Sequence, residues 1–331
     1  VEKKKKLKPI CTSIPKIKEE VMDHITCFCW LDGYTYLVVG TLECELLMLD
    51  KNCEFIGIGG PRMEKEGFSS IIPMEKMSVM GFVEVLKHLN FFKKVEKLVM
   101  KIIEEKSPER IILIDYPGFN LHIAKTIKKK YSVPITYYIS PQIWAWKENR
   151  IKIIKKNIDQ ILVIFPFERK WYAERDFAVN WVGHPYLDHF KKEPKENLKR
   201  KLGLTSEQTI LTIFPGSRQQ EYDRHLPECM LAAKKMKKLY PELQINLGIA
   251  PNIIIERNQI YEEIIIEDQN PQFALEAADA AIVASGTATL EAAIYGVPMV
   301  IIYKMNPISW LISSVLVKTK FAGMPNIIAN R

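Results

Sequence analysis

The chain predicts an α/β protein: two Rossmann-like domains facing across a cleft, behind an N-terminal segment of β character. Three observations carry this. From about residue 54, short apolar runs alternate with amphipathic helical stretches. A polar, charged stretch over 187–208, with Pro194 and Gly203, breaks that alternation once. Small-residue turns stand between several of the apolar runs and the helices that follow, and parallel sheets bind ligands at that edge.

The strands are expected at Arg110–Asp115, Pro134–Ser140, Ile161–Phe165, Asn180–Val182, Thr209–Phe214, Leu243–Ala250, Ala280–Ala284 and Met299–Tyr303. Helices between them include Leu121–Lys130 and Leu226–Leu239. Residues 1–22 read as a charged lead, and 24–50 as β hairpins: Ile25–Trp30, a turn at Asp32-Gly33, Tyr36–Gly40 and Glu45–Asp50. That run resembles most of one blade of a WD-repeat propeller. One blade cannot bury its own faces. The expected divisions are 1–53, a segment apart; 54–190, a first Rossmann-like domain; 191–208, a linker; and 209–331, a second domain.

With 331 residues, 47% of them hydrophobic, the chain has ample core material. No apolar run reaches the roughly 18 to 20 residues of a membrane span. Lys3–Lys6 are basic, but no apolar stretch of the signal-peptide kind follows. The net charge is +8, and residues 1–53 contribute none of it, since eight Lys balance eight Asp and Glu. The positive remainder points to phosphates, anionic lipid or nucleic acid. Nucleic acid is set aside, because no DNA- or RNA-binding motif accompanies the charge. Five of six cysteines precede residue 54. Cys27 and Cys29 lack a second pair or histidines, so they read as reduced thiols rather than a zinc site.

The most informative motif is Ser285-Gly286-Thr287-Ala288-Thr289-Leu290-Glu291 after the run Ala280–Ala284. Strand, small turn and helix suit a phosphate, because a helix N-terminus offers unpaired N–H groups and a positive dipole end. Glu291 is placed to accept ribose hydroxyls. An ordinary turn with a capping threonine is the alternative. Phe214-Pro215-Gly216-Ser217-Arg218 is a second such turn, in which Arg218 adds a charged fork. It is no Walker loop, and Gly57–Pro61 is a poor dinucleotide loop, since its third spaced glycine is missing. Asp115 ends a strand and stands ready to take a proton from a hydroxyl; a turn former is the alternative. His184, in Gly183-His184-Pro185, reads equally as base, phosphate contact or turn residue. Met77–Lys106 mixes apolar and basic residues, as a core-facing helix or a lipid-facing surface would. Trp144, Trp146, Lys147 and Arg150 form a second aromatic-basic patch.

Together these segments resemble the lipid-A-disaccharide synthases, inverting GT-B glycosyltransferases, over residues 54–331. The resemblance rests on Gly59–Met63, Val79–Leu86, Ile114-Asp115 with Phe119-Asn120, Ser140-Pro141 with Trp144–Trp146, and Phe165–Glu168. It continues through Val182–Pro185, Phe214–Arg218 with Glu221, Ala284–Glu291 and Met324–Asn326. It implies transfer from UDP-2,3-diacylglucosamine to 2,3-diacylglucosamine 1-phosphate, with UDP released and neither cofactor nor metal needed. It assigns Asp115 as general base. UDP falls to Gly216, Ser217, Arg218, Ser285, Gly286, Thr287, Thr289 and Glu291, and the acceptor side to Asn120 and His184. Met80, Phe82, Val83 and Leu86 match an apolar segment suited to acyl chains or membrane. A cytoplasmic enzyme, peripheral on the inner face of the membrane, with a homodimer as one assembly, is the corresponding expectation. The family's loop reading roughly Ser-Ala-Gly-Glu-x-Ser-Gly-Asp is missing, and the family continues beyond Asn326, so the resemblance implies a GT-B fold incomplete at both ends, with a junction between unrelated pieces near residue 53. The alternatives are another UDP-sugar enzyme of the same fold, and an inactive UDP- or lipid-binding remnant or interaction protein.

Overall fold

A computed structural model of the chain describes residues 35–39, 54–60, 63–64, 68–72, 89–190, 193–250, 253–255, 263–305 and 319–330. They form two compact units that divide between His189 and Phe190.

The first unit is a parallel sheet in the order β2-β1-β3-β4-β5-β6. Its strands are β1 (Thr35–Val39), β2 (Glu54–Ile58), β3 (Arg110–Ile114), β4 (Ile135–Tyr138), β5 (Gln160–Val163) and β6 (Asn180–Trp181). Three helices of this unit are α1 (Leu89–Lys106), α2 (Pro117–Lys130) and α3 (Ile151–Asn157); α4 (Pro166–Ala173) follows β5. The strands Ile111–Ile114 and Ile135–Tyr138 are buried throughout, as expected of a sheet covered on both faces. Val95, Val99 and Ile103 recur at helical spacing on α1 and pack with Ile123 and Ile127 of α2 and Ile111 and Leu113 of β3.

The β1 strand corrects the reading of residues 24–50. A hairpin demands antiparallel neighbours, yet Thr35–Val39 pairs in parallel with β2 on one side and β3 on the other. It is an interior strand of the first sheet, so the boundary expected at residue 53 cuts through this unit. The other two expected hairpin strands, Ile25–Trp30 and Glu45–Asp50, lie outside the described residues. The sequence misled because Tyr36–Val39 is apolar on both faces, and nothing local says which strands will flank it.

The second unit is a parallel sheet in the order β11-β10-β7-β8-β9. It comprises β7 (Ile210–Phe214), β8 (Gln244–Gly248), β9 (Ile265–Glu267), β10 (Ala280–Ala284) and β11 (Met299–Ile302). Its helices include α5 (Lys195–Lys201), α6 (Gln219–Leu239), α7 (Pro271–Glu276), α8 (Thr287–Tyr295) and α9 (Met324–Ala329). Helix α6 starts seven residues before the expected Leu226 and runs through Pro227. Pro227 cannot donate to the Asp223 carbonyl, and both residues are exposed, so that carbonyl is open to solvent.

The expected linker 191–208 is not a loose connection. Within it, α5 buries Leu198 completely against Ile210 and Ala277. Lys199, 7% exposed, donates to the carbonyls of Ser206 (3.1 Å) and Gln208 (2.7 Å) and pairs with Asp279 at 3.0 Å. Burial raises the Asp279 carboxyl, but the Ile210 N–H, Lys199 and Lys195 outweigh it and leave the pKa below its usual value. A polar composition had suggested a link; the polar groups instead fasten α5 to the second sheet.

Candidate active site

Each sheet reverses its strand order once. In the first, the chain moves outward from β1 to β2 and then returns to β3 on the other side of β1. In the second, it moves from β7 through β8 to β9 and returns to β10 beside β7. Loops leaving the two strands at such a point diverge and open a crevice at their carboxyl ends. The sequence motifs fall there. Asp115 follows β3, Pro215–Arg218 follow β7, and Ser285–Gly286 follow β10.

In the first unit, Asp115 remains on the ladder: its N–H donates to the Tyr138 carbonyl at 2.9 Å. Its φ is 46° and that of Tyr116 is 47°, two successive non-glycine residues in the left-handed region. Such a conformation costs roughly 1–2 kcal/mol per residue. Asn120, fully buried on α2, donates from Nδ2 to the carbonyls of Ile114 (3.1 Å) and Asp115 (2.8 Å). The Tyr137 hydroxyl on β4 donates to the same Asp115 carbonyl at 2.5 Å. Asn120, expected on the acceptor side, supports the backbone of this turn through its amide nitrogen.

His184 follows β6. Its Nδ1 accepts the Tyr186 N–H at 3.2 Å, so the neutral ring carries its proton on Nε2. Burial lowers the imidazole pKa and favours that neutral form. In this tautomer Nε2 is a donor.

Glu168 carried no role in the sequence reading, although the segment Phe165–Glu168 was noticed. It is 1% exposed on α4. Oε1 accepts the Trp144 indole N–H at 3.1 Å and Oε2 accepts the Phe165 N–H at 3.0 Å. Burial pushes this carboxyl up to about 7, against the pull of those donors. It ties the loop after β4 to the start of α4. Phe167 stands edge-on to Trp144 (5.0 Å), and Phe165 lies 5.7 Å from His184. A glutamate three residues into a helix was the available signal, as half of a capping box.

In the second unit, Gly216 has φ 142°, and a Cβ there would lie 2.6 Å from the Glu221 Cβ. Glycine lets the turn pack onto α6. Arg218 is half exposed and pairs with Glu221 at 2.6 Å, so its guanidinium is held at the start of the helix. Ser217 lies between them. His225, buried on α6, donates from Nδ1 to the Pro215 carbonyl (2.6 Å) and accepts the Lys304 N–H on Nε2 (2.8 Å), which fixes a neutral tautomer. The sequence reading missed this brace, because its partners are backbone groups on distant elements.

The turn after β10 shares the work differently from expectation. Gly286, with φ 155°, and Thr287, the first residue of α8, are exposed at the helix start. The Ser285 hydroxyl donates to the Ala322 carbonyl at 2.6 Å. The buried Thr289 hydroxyl donates to the Gly286 carbonyl at 2.7 Å and accepts the Met324 N–H at 3.3 Å. These two hydroxyls hold α8 in place, while Gly286 and Thr287 stand exposed at its start. Glu291 is half-buried one turn further on. Gly59, in the poor dinucleotide loop, gives its N–H to the Ser70 hydroxyl (3.1 Å). Met80, Phe82, Val83 and Leu86 lie outside the described residues.

Two parallel sheets, each with motif residues at its strand reversal, define a GT-B-like fold. Solved structures share it. A UDP-GlcNAc 2-epimerase from Neisseria meningitidis, bound to UDP-GlcNAc, matches with TM-score 0.55 and 10% identity, over 89% of this chain and 90% of that one. The calicheamicin glycosyltransferase CalG4 matches with TM-score 0.50 and 12% identity, over 82% and 80%. The family profile described as lipid-A-disaccharide synthetase matches residues 35–331. The lipid-A-disaccharide synthase of Trichlorobacter lovleyi is 39% identical over 286 residues, 85% of this chain and 74% of that protein. That of Coxiella burnetii is 35% identical over 291 residues, 87% and 77%. The chain belongs to the lipid-A-disaccharide synthase family, glycosyltransferases of lipid A biosynthesis that act on lipid A precursors. The match begins at residue 35, so β1 belongs to the family's domain as well as to its sheet.

Proposed function

We propose that the chain transfers the diacylglucosaminyl group of UDP-2,3-diacylglucosamine to the 6-hydroxyl of 2,3-diacylglucosamine 1-phosphate. Asp115 takes the hydroxyl proton as the oxygen attacks the anomeric carbon. The bond from that carbon to the diphosphate breaks, its electron pair leaves with UDP, and the configuration inverts. Arg218 and the start of α8 at Gly286-Thr287 compensate the charge that grows on the diphosphate. Gly216 and Ser217 shape that side, Glu291 accepts from the ribose, and His184 donates from Nε2. The observation that carries this reading is the adjacency of β7 and β10, whose paired register puts both glycine turns at one strand reversal.

Charge compensation by protein groups assigns no role to a metal, and the sequence holds no Asp-x-Asp pair. The enzyme works at the cytoplasmic face of the membrane. No described helix is long and apolar enough to cross one, while both substrates carry acyl chains and the chain is basic. Met80, Phe82, Val83 and Leu86 receive the acyl chains, and a homodimer is the expected assembly.

The test is transfer with both acylated substrates, read as UDP release and disaccharide formation in the presence of EDTA. Disaccharide formed with EDTA present supports the reading. UDP binding without transfer identifies a binding remnant, and turnover of unacylated UDP-GlcNAc alone identifies another sugar-nucleotide enzyme.

A further inference from the structure

We infer that Tyr137 is a positioning residue for the base: its hydroxyl, together with the Asn120 amide, holds the Asp115 carbonyl and so sets where the carboxylate points. The inference rests on the reading of Asp115 as base, and extends it to a residue that no sequence motif marked.

Among the described residues, Asp115 and Tyr116 are the only neighbouring pair of non-glycine residues with positive φ. Extending α2 backward does not relieve the turn. Pro117 stands at the first helical position, and a residue before proline is disfavoured in the right-handed helical region. Other contacts must hold this conformation.

The contacts are on the Asp115 peptide groups. The Asp115 N–H is pinned to Tyr138 at 2.9 Å. Its carbonyl is pinned by Tyr137 at 2.5 Å and by Asn120 at 2.8 Å. With both peptide groups fixed, the Cα–Cβ direction is fixed too, and only the side-chain torsions remain to aim the carboxylate. Register explains why a tyrosine serves. Tyr137 lies opposite Leu113, two residues before Asp115. Two residues of strand span about 6.6 Å, a gap that the long phenol can cross with its oxygen at the tip.

Tyr137 and Asn120 are both fully buried, so both donors are held on the protein side of the partly exposed Asp115 turn. Burial, and then the nearby Asp115 charge, raise the phenol pKa well above its usual value, so Tyr137 stays a neutral donor throughout the working range. A purely structural tyrosine would need only its ring. Tyr137 belongs to the core cluster through that ring, and the hydroxyl is the part the inference concerns.

Tyr137→Phe separates the two roles, because it keeps the ring and removes one oxygen. The expected result is a folded protein whose KM for both substrates stays within about twofold while kcat falls roughly 10- to 100-fold, the penalty of a misplaced group. Repeated in an Asp115→Asn background, the same change should leave the residual rate unaltered, since a residue acting through Asp115 has nothing further to lose. An unchanged kcat for Tyr137→Phe, or an equal loss in the Asp115→Asn background, overturns the inference and leaves the base reading intact. Wild-type turnover by Asp115→Asn alone overturns the base reading instead. Should Tyr137→Phe unfold at the assay temperature, Asn120→Leu removes the other donor and is read against the same outcomes.

Discussion

The turn after β3 and the turns after β7 and β10 solve one geometric problem by opposite means. Each must leave a strand abruptly and enter a helix at the carboxyl edge of a sheet. The β7 and β10 turns use Gly216 and Gly286, which reach φ 142° and 155° without a side-chain penalty. The β3 turn places Asp115 and Tyr116 in left-handed conformations and holds them with Tyr137 and Asn120. The difference follows from what each turn presents. Under the proposed function, a diphosphate is met by backbone N–H groups and a helix end, so a residue without a side chain serves best. In the same proposal a proton is taken by a carboxylate, so the residue needs a side chain, and the strain is offset by hydrogen bonds from Tyr137 and Asn120.

The sharpest way to break this comparison is Asp115→Asn. It preserves size and turn propensity but removes the base, so kcat should fall by about 10³-fold in UDP-release assays, within the usual range for general-base catalysis. Gly216→Ala attacks the other solution. The new Cβ would meet Glu221 at 2.6 Å, which must displace the turn or α6. The apparent affinity for the UDP-sugar should drop by about 10²-fold, read by calorimetry with UDP.

Glu168→Gln tests how the supporting loop depends on pH. The folded carboxyl titrates near 7, above the 4.5 of an unperturbed glutamate. Between those values the folded chain holds a proton that the unfolded chain has released. The stabilising contribution is therefore full at low pH and lost as pH rises through about 7. The variant gives up one accepted hydrogen bond at every pH, yet lacks this slope. Relative to the parent it should gain about 2–3 kcal/mol between roughly pH 5 and pH 8, measured by urea unfolding.

Ser285→Ala should have the smallest effect. Its hydroxyl is directed to the Ala322 carbonyl, so UDP affinity should stay within about threefold while stability falls by about 1 kcal/mol. A large loss of affinity would show that the hydroxyl turns to the nucleotide.

The alternation of strands and helices beyond residue 54 was legible because apolar runs and small-residue turns are local signals, and Ala280–Ala284 was placed to the residue. The glycine turns were legible for the same reason, since a backbone requirement leaves its mark at its own position. Strand order was not. Tyr36–Val39 has the same residues whether it pairs in a hairpin or between two parallel neighbours, and only the assembled sheet selects its partners. The backbone partners of Asn120, Ser285 and Thr289 were not legible either: their polar groups suggested a ligand, and the fold also supplies carbonyl and N–H partners distant in sequence or on the far side of a turn. Glu168, His225 and Tyr137 were passed over because an isolated side chain carries no sign of the carbonyl or indole it will meet. By itself, then, the sequence determined most of the elements, the family and the turns that glycine makes possible. The tertiary structure alone decided which buried hydrogen bonds hold those turns in place, because such bonds form only between groups that folding brings together and shields from water.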